Sequence, residues 1–138
     1  MNTALGVAVL ALTFGAWLFI EKRRVNREFE NTFRGRRSLS DDDFYAKFFQ
    51  DSGISREIVT GVREVLAYEL QVDVSRMIPD DDFSCNLRFL LDSDSMVDVE
   101  LVEGIEKRFG IAISEKEAED TKTIHDIITL VHRKTSPA

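Results

Sequence analysis

Residues 92–110 read Asp92-Ser93-Asp94-Ser95-Met96-Val97-Asp98-Val99-Glu100-Leu101-Val102-Glu103-Gly104-Ile105-Glu106-Lys107-Arg108-Phe109-Gly110, and the fold follows from how this stretch is parsed. Val99, Val102, Ile105, Glu106 and Phe109 recur at three- and four-residue steps, and all but Glu106 are apolar. That is the spacing of one helix face, and Gly110 stands where a left-handed cap would close it. The helix is therefore predicted to begin near Asp94 and Ser95, after a loop. At that end, unpaired backbone N–H groups and the positive end of the helix dipole favour a phosphate ester on a serine hydroxyl. The plainer reading of Ser95 is a capping residue. Val97, Asp98, Glu100, Leu101 and Glu103 are expected to remain partly outside.

Similar patterns flank this stretch on both sides. Ile58, Val62, Val65, Leu66 and Leu70 mark an amphipathic helix from about Arg56 to Leu70, with Ser55 as its cap. Its interior Gly61 costs about 1 kcal/mol against alanine. A long connection from Gln71 to Asn86 should hold a short turn of helix around Val74–Met77 and a break at Pro79. Leu87-Arg88-Phe89-Leu90-Leu91 then returns apolar side chains to the core. Downstream, Ser114 with Glu117 and Thr123 with Asp126 form capping boxes for a short helix and a last one, whose Ile124, Ile127, Ile128 and Val131 face inward.

Asp94-Ser95-Met96, Val99-Glu100-Leu101-Val102, Ile105-Glu106 and Phe109-Gly110, set within this order of helices, resemble the phosphopantetheine attachment site and following helix of acyl carrier proteins. The resemblance covers residues 55–134 and implies an all-α chain. Its core would be an acyl-carrier-like four-helix bundle, to which the chain's own residues add, ahead of it, a single transmembrane helix and an extra short amphipathic helix. It further implies that a phosphopantetheinyl transferase attaches 4'-phosphopantetheine covalently to Ser95, with Asp94 helping to position a magnesium ion in that complex. The chain would carry an acyl or aminoacyl group as a thioester and would not be an enzyme. Asp98, Glu100, Glu103 and Glu106 would meet the basic docking surfaces of acyl-transferring or synthase enzymes. Three departures stand out: Met96 replaces the leucine usual after the serine, residues 89–93 lack the family's glycine, and Val97 stands where many carriers have an acidic residue. An unbranched methionine should be tolerated.

Charge is divided along the chain. The total is −7, but residues 21–37 hold seven Lys or Arg against three Glu (+4), while residue 38 onward holds eleven against twenty-two (−11). Such an acidic domain repels nucleic acid and favours basic protein partners. Cys85 is the only cysteine, so no intrachain disulfide forms, and with His125 and His132 it gives no metal-binding pattern. His125 and His132 read as solvent-edge residues of the last helix.

Ala4 to Ile20 is apolar on every face except Thr13, and its seventeen residues make about 25 Å of helix, enough to span a bilayer core. No charge precedes the run and no small-x-small site follows it, which favours an anchor over a cleaved signal peptide. Lys22, Arg23, Arg24 and Arg27 follow at once, with Trp17 near the boundary. The positive-inside rule then places the carrier domain on the cytoplasmic side of the inner membrane. The chain divides as follows: residues 1–20 form a transmembrane signal-anchor helix, 21–39 a basic juxtamembrane linker, 40–53 an extra amphipathic helix, 55–134 the acyl-carrier-like domain and 135–138 a tail. The helix of the anchor is expected to run on to Phe33, with a hinge at Arg34-Gly35-Arg36-Arg37 whose arginines lie against anionic headgroups or in solvent. Ser40-Asp41-Asp42-Asp43 should start the extra helix, which runs to about Asp51 and packs Phe44, Tyr45, Phe48 and Phe49 on the bundle. The whole reads as a membrane-tethered acyl carrier for lipid or envelope biosynthesis. The alternative is an unmodified, membrane-anchored adaptor that docks partners through its acidic helix.

Overall fold

The computed structural model describes residues 2–91 and 96–137. Its helices are α1 (Asn2–Phe33), α2 (Asp41–Phe48), α3 (Arg56–Leu70), α4 (Met96–Phe109), α5 (Glu115–Asp120) and α6 (Ile124–Thr135), with a single 3-10 turn at Arg88–Leu90. No strand occurs among the described residues, so the chain is all-α as expected. It divides into two compact units, Met1–Arg34 and Gly35–Ala138.

The first unit is α1. Its apolar side chains from Leu5 to Ile20 are exposed, Leu12 by 74% and Trp17 by 56%. A soluble core helix would hide them, whereas this one is long and apolar enough to cross a membrane. The guanidinium of Arg23 lies over the Phe19 ring, 5.0 Å from its centroid, where the apolar stretch gives way to charge. As expected, the helix continues to Phe33.

In the second unit, α3 is the central strut, packing against α4, α6 and α2. Close approach of α3 and α4 is what Gly61 provides. A Cβ there would lie 2.8 Å from the Phe109 ring, and on the facing helix a Cβ at Gly104 would lie 3.1 Å from Val65 Cγ1. This crossing also fixes which face of α4 turns inward, and it differs from the expected face. Leu101 and Ile105, one helical turn apart and flanking Gly104 in sequence, are buried, while Val99 is 49% exposed and Val102 only half-buried. Gly110 has φ +64 and closes α4 in the left-handed conformation expected of it.

The other helix ends are set locally. Ser55 Oγ accepts the Ile58 N–H, and both downstream capping boxes are complete. Ile124, Ile127, Ile128 and Val131 of α6 are buried as expected, together with Leu130. At Val74–Met77 the expected turn closes as a single hydrogen-bonded turn, with Met77 N–H donating to Val74 O at 3.0 Å, and does not extend into a helix. Its backbone also serves as a docking edge: Leu39 N–H donates to Ser75 O at 2.8 Å, and Arg63 Nη2 to Val74 O at 3.5 Å.

Helix α2 stops at Phe48, short of the predicted Asp51. Phe49 leaves helical geometry (φ −132) and becomes buried, with its ring stacked on the exposed His125 at 5.9 Å. Tyr45 Oη donates to Ile54 O at 2.7 Å and ties the turn back on itself. Phe44 is also buried, and Tyr45 and Phe48 are half-buried, so this segment packs its aromatic side chains on the bundle.

Glu117 is the acid-sensitive link between α5 and α6. Lys134 Nζ lies 2.9 Å from its Oε2, and the Ser114 N–H donates to its Oε1 at 3.2 Å. The Lys134 hydrogen bond first, and the Ser114 backbone second, hold the carboxyl below its ordinary value of 4.5. A carboxyl depressed in the folded state contributes stability above its unfolded pKa, and that contribution is lost as pH falls through the folded one. Glu117→Gln is therefore expected to lower the melting temperature at neutral pH. The gap from the parent should close in acid, below the ordinary carboxylate range. Melting curves across pH check this, and a gap that persists in acid would contradict it.

Candidate functional site

The elements that reach the predicted attachment segment are the 78–91 loop on one side and α4 on the other. The loop is built around Asp81, which is 2% exposed. Its Oδ1 accepts Asn86 Nδ2 at 2.8 Å and its Oδ2 accepts the Ile78 N–H at 2.8 Å, while Arg36 Nη1 reaches both oxygens at 2.9 and 2.8 Å. A buried carboxylate is tolerable only with such a complement of donors and a counter-charge. Asn86 Oδ1 accepts the Asp82 N–H, and Asp82 O accepts the N–H groups of Cys85 and Leu87, so residues 81–87 form one hydrogen-bonded turn. Both the hydroxyl and the backbone N–H of Ser84 donate to the Asp82 carboxylate and hold it below its usual range. Ile124 N–H and His125 N–H close on Asp81 O and Pro79 O, joining the loop to the start of α6. Leu87 and Leu90 then plug into the core.

Beside this loop lies a largely apolar cavity of about 440 Å³, lined by Leu91, Leu101, Ile105, Ile113, Ile127 and Leu130 among others. Leu91 is the last described residue before the 92–95 segment, and Leu101 lies on the first turns of α4 beyond it. The chain on both sides of the attachment segment thus faces the same apolar space. Such a lining suits a hydrocarbon chain, and it offers few groups to satisfy a buried polar one. The cavity walls were not read from sequence as a set, and Leu101 was expected partly outside. The signal that pointed to it is the four-residue spacing of Leu101 and Ile105, read together with Gly104.

The predicted site residues fall out as follows. Asp94 and Ser95 lie outside the described residues. Met96 is the first residue of α4, next after Ser95 in the chain, and Asp98 lies in its first turn. Glu100 and Glu103 are exposed on α4. Glu106 is half-buried, and its Oε2 accepts the Ile113 N–H at 3.0 Å, which gives it a structural part in the α4–α5 connection. Among the described residues no group of His, Cys, Asp and Glu is arranged to hold a metal ion.

Comparison with known proteins places these features in a lineage. Residues 60–131 match the family described as "Phosphopantetheine attachment site". The acyl carrier protein of Thermosynechococcus vestitus is 32% identical over 80 residues, covering 58% of this chain and 94% of that protein.

Proposed function

This chain belongs to the phosphopantetheine-attachment family of acyl carrier proteins, and on that premise we propose that it is a membrane-tethered carrier modified on Ser95 and serving lipid or envelope biosynthesis. Membership makes it a carrier and not a catalyst, with covalent 4'-phosphopantetheine as its prosthetic group. It also makes a phosphopantetheinyl transferase and acyl-handling enzymes its partners. When bound, the group supplies a terminal thiol that holds an acyl chain as a thioester.

The observation that carries the proposal is the apolar cavity whose walls include Leu91 and Leu101, on either side of the attachment segment. Ser95 is the hydroxyl that precedes α4, where helix N–H groups suit a phosphate ester. Asp94 and Met96 flank it in the chain. The exposed carboxylates of Glu100 and Glu103 form the face offered to basic partner surfaces, and Asp98 precedes them in the same helix. Glu106 contributes less to that face, since its carboxylate is engaged with Ile113. Residues 4–20 span the bilayer, and Lys22, Arg23, Arg24 and Arg27 keep the carrier domain on the cytoplasmic side.

The test is the intact mass of the full chain, recovered from membranes after co-expression with a broad-specificity phosphopantetheinyl transferase. A carrier gains one phosphopantetheine, whereas an unmodified adaptor stays at its sequence mass. Protease added to spheroplasts should leave the carrier domain whole, and should digest it only once the membrane is opened. Digestion from outside would overturn the orientation.

A further inference from the structure

Among the residues that hold the 78–91 loop, Arg36 comes from outside the region shared with the carrier family. The family match begins at residue 60, yet the counter-charge for buried Asp81 comes from position 36, three residues beyond the end of α1. The same guanidinium nitrogen also donates to Arg76 O at 3.4 Å. From Asp81 the connection runs through Asn86 into the 81–87 turn, then to Leu87 and Leu90 in the core, and to Leu91 at the cavity wall. The next residues in the chain are 92–95.

We propose that Arg36 is a positioning residue for phosphopantetheine attachment, because it fixes through Asp81 the loop that leads along the chain to Ser95. The segment after α1 is then part of the carrier's working machinery and not a passive linker. Its role toward the prosthetic group rests on the reading of Ser95 as the attachment residue. Without Arg36, Asp81 would be a nearly inaccessible carboxylate that has lost its guanidinium and both of that group's hydrogen bonds. The least costly response is for the 81–87 turn to open and hydrate the carboxylate. The exposed Glu100 and Glu103 on α4 are no part of that turn, so docking of the transferase should survive while presentation of the hydroxyl suffers.

The experiment uses the full chain in lipid nanodiscs, as parent, Arg36→Met and Arg36→Lys. One measurement is hydrogen exchange resolved along the chain, and the other is transferase kinetics with coenzyme A, followed by intact mass. For Arg36→Met, amide exchange in residues 82–91 should rise about a hundredfold, while α3 and α6 stay within about twofold of the parent. The transferase kcat should fall roughly tenfold with KM unchanged, since the loss is one of positioning. Arg36→Lys keeps the charge but not the fork, and should recover part of both effects. It also keeps the test open if the methionine variant fails to fold. Parent-like exchange and kcat in Arg36→Met would overturn the proposal. So would exchange rising equally in α3 and α6 with a raised KM, because Arg36 would then only stabilise the fold. A parent that gains no phosphopantetheine would contradict the carrier reading and with it the kinetic half of the proposal. Its exchange pattern would still decide whether Arg36 fixes the loop.

Discussion

Full-length chain carrying Ser95→Ala is expected to stay at its sequence mass under conditions where the parent gains one phosphopantetheine. The effect is all or none because the ester needs a hydroxyl oxygen, and alanine has none. Alanine is also a good helix former, so the substitution should cost the fold at most about 1 kcal/mol, the worth of a helix cap. Ser93→Ala is the paired control, as the neighbouring hydroxyl two residues earlier in the chain, and it should be modified as fully as the parent. Intact mass followed by fragmentation of the modified peptide reads both. If Ser95→Ala still gains the group, the attachment residue lies elsewhere and the proposed site is wrong. If Ser93→Ala loses it while Ser95→Ala keeps it, the site is Ser93.

The second large effect is expected at Arg63. This side chain is 4% exposed in the middle of α3, and it pairs with Asp41, donates to Leu39 O at 3.0 Å and Val74 O at 3.5 Å, and lies 4.4 Å from the centroid of the Phe44 ring. It therefore joins α2, the segment before it and the 73–77 turn to the bundle. Arg63→Met keeps most of the apolar stem but strands two carbonyls and removes the cation from the ring. The expected cost is about 3 kcal/mol. Asp41→Asn should cost much less, near 1 kcal/mol, because Asp41 is 43% exposed and water can replace its partner. Urea titration of the detergent-solubilised full chain, read by pulse proteolysis, measures both. A change for Arg63→Met no larger than that of a surface substitution, about 0.5 kcal/mol, would contradict this account of how α2 is held.

The contrast between these residues and the helix caps shows what the sequence could disclose. Ser40, Ser55, Ser114 and Thr123 each accept the N–H three residues on, and every one of these starts was predicted, because the signal and the contact lie within one turn. Membership of the carrier family was legible for a related reason: a short motif stands at a fixed place before a periodic helix. Leu101 was misplaced because Val99, Val102, Ile105 and Phe109 satisfy the helical period equally well. The choice between faces is made by Gly104 meeting Val65, a contact that one helix cannot announce. Arg63 and Arg36 look like surface charges. Their burial depends on Asp41, 22 positions away, and on Asp81, 45 positions away. The early end of α2 has the same origin, since Phe49 breaks helical geometry to reach His125, far along the chain.

Helix α1 has one more consequence. Its 32 residues amount to about 48 Å of unbroken rod, roughly 18 Å more than a bilayer's hydrocarbon layer requires. On the proposed reading, with residues 4–20 in the membrane, the surplus would project as a stiff stalk and not as a slack leash. A carrier tethered in this way would meet membrane-bound clients by lateral diffusion close to the lipid, at a higher effective concentration than it would meet dissolved ones. Membrane-bound enzymes would be its favoured customers, and freely dissolved ones would compete poorly.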